Sequence, residues 1–254
     1  MTVAKREKVE KVKKRDAKTI LSWILFASLV LSAVYTVIRL ILAPSATEAG
    51  EFDMQRADYT LMLLQCVLGI VVMMLPSIIE HRWSIPIPNF IYIMYYIFLY
   101  CAVFLGEVFY FYYRIPYWDT ILHCFSGAML GALGFILVSI LNDSQRVSVH
   151  LSPFFIALFA FCFALAMGAL WEIYEYTVDT IMHLNMQKYM TDAGEILVGR
   201  EALADTMEDI ISDALAALVV SVVGYLSIKR RRVELQEVPE TGETNEMNAE
   251  TEGG

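Results

Sequence analysis

Three stretches in the second half of the chain place ionisable side chains at helical spacing inside otherwise apolar sequence. Asp119 and His123 lie one turn apart in Trp118-Asp119-Thr-Ile-Leu-His123-Cys124-Phe-Ser126-Gly127. Glu172, Glu175 and Asp179 form an i, i+3, i+7 stripe, and Asp205, Asp209 and Asp213 an i, i+4, i+8 stripe. Glu107 is a further isolated acid. Carboxylates crowded onto facing helices repel one another, and either protonation or a bound cation relieves that repulsion. A donor set of carboxylates with one imidazole suits Mg²⁺, Mn²⁺ or Zn²⁺, and it lacks the thiolates of a structural zinc site. Cys124 follows His123 directly and so points to another face. The expected metal ligands are Asp119, His123, Glu172, Glu175, Asp179, Asp205, Asp209 and Asp213. The expected catalytic groups are Glu172 or Glu175 as general base, with His123.

The elements that carry these residues follow from composition. The chain has 254 residues, 57% of them hydrophobic, and a mean hydropathy of +0.54. A soluble domain of this length cannot bury that much apolar surface, whereas in a bilayer the outward side chains meet lipid. Six stretches reach the roughly twenty apolar residues that a helix needs to cross the hydrocarbon. They run over 19–43, 59–79, 89–112, 118–141, 152–178 and 207–228. The sequence therefore predicts an all-α, polytopic transmembrane bundle. Pro44, Pro86, Pro88, Pro116 and Pro153 fall at or near the boundaries, where proline costs a helix least. Trp83, Trp118, Tyr110, Tyr112, Tyr113 and Tyr117 suit the headgroup region. No internal repeat or mid-span break is evident. Residues 1–18 read as a basic cytoplasmic segment, 19–229 as the membrane domain and 230–254 as a disordered acidic cytoplasmic tail. The four cysteines (Cys66, Cys101, Cys124, Cys162) lie in apolar stretches without a CxxC spacing and read as buried small hydrophobes.

The net charge of -9 is strongly sorted by position. With the N-terminus inside, fourteen Lys and Arg fall on the cytoplasmic side, the run Lys229-Arg230-Arg231-Arg232 included. Only Arg39, Arg56, Arg114, Lys188 and Arg200 fall outside. Both termini are therefore expected in the cytoplasm, and the three acidic stripes share one depth on the extracytoplasmic side. Ser126, Gly127, Gly131 and Gly134 would let neighbouring helices approach closely enough for those stripes to meet. A centrally placed intramembrane Asp costs about 2.5–3.5 kcal/mol on an insertion scale, so such groups are by default functional.

Structural roles are the competing reading. Asp119, Asp205 and Glu208 could favour a helix N-terminus, and Asp205 and Thr206 could be caps. Glu175 or Asp209 could pair with Arg114 or Arg200. Those roles suit the edge positions better than the deeper Glu172, Asp213 and His123. Glu80 and His81 read as interfacial, and Tyr92, Tyr95, Tyr96 and Tyr100 as packing. The basic N-terminal segment abuts a span without interleaved aromatic residues, which fits orientation on the membrane and not nucleic-acid binding.

The run W-D-x-x-x-H-x-x-S-G-x-x-x-G, then W-E-x-x-E-Y-x-x-D, then D-T-M-x-D-x-x-x-D-x-x-A-A resembles the YjdF-like family of bacterial inner-membrane proteins. Those proteins look related to the VanZ-like group, which is associated with glycopeptide resistance. The resemblance covers about residues 20–228 and is most specific in the last three spans. It departs at Ala216-Ala217, where the family pattern has Gly-Ala, and this leaves the acidic stripe intact. It implies a place in the bacterial cytoplasmic membrane and names no reaction. Three functions fit these residues: a metal-dependent enzyme acting on a lipid or lipid-linked envelope substrate, a cation- or proton-coupled transporter, and a non-catalytic envelope or resistance factor.

Overall fold

A computed structural model describes residues 3–42, 56–83, 87–142, 151–191 and 195–237. Pro44, Pro86, Arg146, the side chains of the basic segment before residue 17 and residues 238–254 lie outside the described residues. The chain is helical throughout its ordered elements: α1 (Val3–Leu42), α2 (Arg56–Val72), α3 (Leu75–Trp83), α4 (Asn89–Leu99), a π-helix (Tyr100–Val108), α5 (Phe111–Arg114), α6 (Trp118–Asn142), α7 (Pro153–Met182) and α8 (Arg200–Glu237). Among the described residues the only β-type pairing is an isolated bridge between Met190 and Ile196. Six helical stretches are long and apolar enough to cross a membrane, α2 with α3 and α4 with the π-helix each counting as one. Large apolar side chains cover their outer surface, for example Leu31, Ile41 and Leu42, all about 70% exposed. That surface is stable only where the solvent is lipid.

The second span bends between α2 and α3, and the cause is local. Pro76 has no N–H, so the carbonyl of Val72 loses its helical partner. The hydroxyl of Tyr95 donates to that carbonyl instead, at 2.7 Å. The third span loosens into a π-helix, closed by the Phe109 N–H on the Phe104 carbonyl and by Tyr110 in the left-handed region. Neither feature leaves a trace in the apolar pattern, so the expectation of uninterrupted spans is corrected at both places. α8 starts seven residues before the expected span and runs to Glu237, so residues 230–237 continue the helix.

The helices fall into two groups. α1, α2, α4 and the π-helix enclose a core of Leu25, Leu29, Met62, Cys66, Tyr92 and Leu99. α6, α7 and α8 pack on one another more extensively than on anything else. α6 and α8 run parallel, pairing Gly127 with Asp213 and Gly131 with Ala217, while α7 runs antiparallel, with Ala160 against Gly134. A β-carbon at Gly127 would lie 2.7 Å from the Asp213 carbonyl oxygen, and one at Gly134 would lie 2.7 Å from the Ala160 Cα. Only glycine allows backbones this close, so the short carboxylates of α8 can reach α6.

Candidate functional site

His123 occupies the centre of the three-helix group and is 7% exposed. Its Nδ1 lies 3.2 Å from Asp213 Oδ2. Asp213, 1% exposed, offers its other oxygen to Ser126 Oγ at 3.1 Å. An ionised Asp213 carboxylate can only accept, so in a neutral imidazole paired with it the proton lies on Nδ1 and Nε2 carries the lone pair. Three carboxylate oxygens from three helices surround that Nε2: Asp119 Oδ1 at 3.8 Å, Asp209 Oδ2 at 3.8 Å and Glu172 Oε1 at 3.9 Å. None is within hydrogen-bonding distance of it. Asp119, His123 and Asp209 each present a donor atom within 4.8 Å of the others. Glu172 is 4% exposed, and neither of its oxygens has a hydrogen-bond partner at bonding distance among the described residues, although the Thr206 hydroxyl stands beside it.

The remaining expected ligands separate from this centre. Asp179 accepts the backbone N–H groups of Met186 and Gln187, both at 2.9 Å, so both its oxygens hold the backbone that follows α7. Asp205 faces Lys188, 3.2 Å away, and Glu175 lines the adjoining cavity. Asp205 and Thr206 lie inside α8 and are not its caps; Glu201 takes the first-turn position. Thr206 accepts from the Gln187 side chain at 3.0 Å. Arg114 and Arg200 do not provide the counter-charge. Lys188 does, donating to Asp119 Oδ2 while it faces Asp205.

Spacing did not single out Lys188, because it lies on the loop between the last two spans and reaches Asp119 across 69 positions of sequence. Burial alone would lower its ammonium below the ordinary lysine range, but the charges of Asp119 and Asp205 outweigh burial and hold it above. The available signal was a lone lysine between the last two long apolar stretches. Tyr112, in α5, is a second residue of this kind. Burial, then the charges of Asp119, Glu107 and Glu175, keep its phenol well above the usual range. The residues expected to be interfacial or packing form a separate cluster: Tyr92 donates to Glu80 at 2.5 Å, and Lys18 stands 3.1 Å over the Tyr92 ring.

A cavity of about 330 Å³ opens beside His123, between the two helix groups. Leu61, Leu68, Val72, Leu99 and Met129 form its apolar wall, and Asp119, His123 and Lys188 its polar end. The arrangement therefore joins a small set of hard donors to a slot that hydrocarbon can fill.

Residues 17–230 match the family described as "Predicted membrane protein (DUF2238)". The chain belongs to this family. It is also similar to an "Uncharacterized protein" of Thermotoga maritima, 31% identical over 121 residues, covering 48% of this chain and 54% of that protein. The match thus spans about half the length of that curated relative. No solved structure matches the chain.

Proposed function

We propose that this DUF2238 membrane protein binds a divalent cation at Asp119, His123 and Asp209, and uses it to act on a lipid or lipid-linked envelope substrate. One observation supports this reading above the others. The Nε2 of a buried histidine is ringed by three carboxylate oxygens at 3.8–3.9 Å, and it hydrogen-bonds to none of them. Metal–ligand bonds of about 2.0–2.2 Å put neighbouring ligands roughly 3.3–3.6 Å apart, so each donor has to move by less than about 1 Å. Asp213 holds the far side of the imidazole, as carboxylates do behind metal-bound histidines. Lys188 fixes one oxygen of Asp119 and leaves the other turned toward Nε2.

A cation held by these residues would polarise a phosphoryl or acyl oxygen, or would lower the pKa of its water toward about 7. Glu172, buried and with no hydrogen-bond partner at bonding distance among the described residues, would serve there as the general base. The apolar wall of the cavity takes the hydrocarbon part of the substrate. The sorting of Lys and Arg along the sequence supports a site in the outer half of the membrane, with both termini in the cytoplasm. The resemblance to YjdF-like and VanZ-like proteins supports the same reading, with a substrate of the bacterial envelope.

The test is to incubate the purified protein with defined phospholipids and Mn²⁺, Mg²⁺ or Zn²⁺. Metal-dependent turnover is expected; neither turnover nor bound metal would remove the proposal. The bend at Pro76 and the π-helix favour a second reading, cation-coupled transport, because interrupted helices often line ion sites. Proteoliposomes separate the two: an enzyme forms product without a gradient, whereas a transporter moves ion without forming product.

A further inference from the structure

The cavity contains two carboxylates that the metal reading does not use. Glu175, on α7, is nine-tenths buried, and Glu107 is carried by the π-helix; both line the cavity. Neither makes a hydrogen bond or ion pair among the described residues. The rings of Tyr112 and Trp171 line the same space, and the phenol of Tyr112 lies within electrostatic reach of both carboxylates. The rest of the wall is mostly hydrocarbon.

An acid buried in such a wall without a partner is expensive. The protein's own cation does not resolve this. Lys188 is already engaged by Asp119 and Asp205. Even with Lys188 and a divalent ion in place, the carboxyl groups Glu107, Asp119, Glu172, Glu175, Asp205, Asp209 and Asp213 outnumber the positive charges around them. A second metal ion is a poorer fit, because most of the lining is aromatic and aliphatic and Asp119, the carboxylate that acts on both Glu107 and Glu175, is already held by Lys188. An organic cation fits better. Its charge answers the carboxylates, its C–H surface and charge suit the aromatic rings, and an attached chain fills the apolar slot.

We propose that this cavity binds a lipophilic ammonium, an amine nitrogen carried on a hydrocarbon chain, with the nitrogen at Glu107 and Glu175 and the chain against Leu61, Leu68 and Val72. The inference goes beyond the metal reading and does not rest on it. The π-helix thereby acquires a role: it carries Glu107 to the slot on a segment, Tyr100–Val108, whose other side chains are apolar or aromatic. Such distortions are frequent at functional sites.

The test uses the full chain in neutral maltoside micelles with EDTA present throughout, so that the outcome is independent of any metal. Tritiated dodecyltrimethylammonium is the probe, with dodecanol and dodecanoate as competitors. Saturable binding of one probe per chain is expected, with unlabelled ammonium competing at least ten-fold better than either competitor of equal length. Glu107→Gln and Glu175→Gln should each weaken binding about ten-fold, equivalent to about 1.4 kcal/mol. Equal competition by dodecanol would overturn the proposal, since the carboxyls would then be neutral bystanders in a hydrocarbon slot. Unchanged affinity in both variants would overturn it as well. The competitor ratio needs only the wild-type chain and decides the matter even where a variant fails to fold.

Discussion

α1, α2, α4 and the π-helix meet through large side chains, Leu25, Leu29, Met62 and Tyr92 among them, and through single tyrosine hydrogen bonds such as that of Tyr95 to the Val72 carbonyl. α6, α7 and α8 meet through Gly127, Gly131, Gly134 and Gly168, and the residues packed into those gaps include Ala160, Ala217 and the carboxylate of Asp213. Lipid is as apolar as leucine, so neither group is assembled by the hydrophobic effect; both depend on van der Waals fit and internal polar contacts. The difference lies in the distance between backbones. Side-chain packing separates helices by the width of a leucine, and the ionisable pair it does hold, Lys18 and Glu80, stays partly exposed. Glycine contacts bring backbones together, so that aspartates as short as Asp209 and Asp213 reach an imidazole on another helix. Close packing is therefore a precondition of the site.

The sharpest way to break this comparison is to remove chemistry from one group and only a hydrogen bond from the other. Glu172→Gln should lower metal-dependent turnover in the phospholipid assay by about 10²-fold or more while cation binding is kept. Tyr95→Phe should leave turnover as it is. A Glu172→Gln protein with wild-type rates would contradict the role of that carboxylate. Next in size, Asp213→Asn should weaken Mn²⁺ binding, followed by electron paramagnetic resonance titration, by about 10–100-fold, the usual effect of losing the partner behind a metal-bound histidine.

Stability sharpens the same contrast. Gly127→Ala sets a methyl group against the Asp213 backbone at 2.7 Å and should cost about 1–3 kcal/mol. Gly69→Ala meets the flexible end of Leu29 at 3.2 Å and Val103 at an ordinary 3.5 Å, and should cost distinctly less, read from thermal unfolding in mild detergent. Equal losses would mean that the two groups pack alike. Smallest of all, Tyr95→Phe should cost about 0.6 kcal/mol, the average of hydrogen bonds measured inside membranes. A loss well beyond about 1.7 kcal/mol would show that the bend at Pro76 depends on that bond far more than membrane hydrogen bonds usually allow.

Hydropathy made the bundle legible from the residues alone, because a span is a property of composition and length. The grouping of His123 with Asp119, Glu172, Asp209 and Asp213 was also legible, because helical spacing puts each stripe on one face and the alternation of spans puts all three at one depth. Asp179 shows where that logic ends. Its spacing continues the Glu172 stripe, but its oxygens go to backbone N–H groups of the loop that follows, and loop backbones leave no periodic signal. Lys188 was hidden for the same reason. The π-helix was hidden for another: its residues are as apolar and aromatic as those of an ordinary helix, so only the carbonyl register differs. Asp205 changed role because α8 begins earlier than hydropathy indicates, at the charged residues Arg200 and Glu201.

The central claim is that His123 Nε2 and the carboxylates of Asp119 and Asp209 hold a cation. Elemental analysis of the purified full chain tests it directly, with wild type beside His123→Ala, Asp209→Asn and Glu107→Gln. The account predicts one divalent cation per chain in the wild type and in Glu107→Gln, and none in the other two. Metal absent from all four proteins, or present equally in all four, would contradict it.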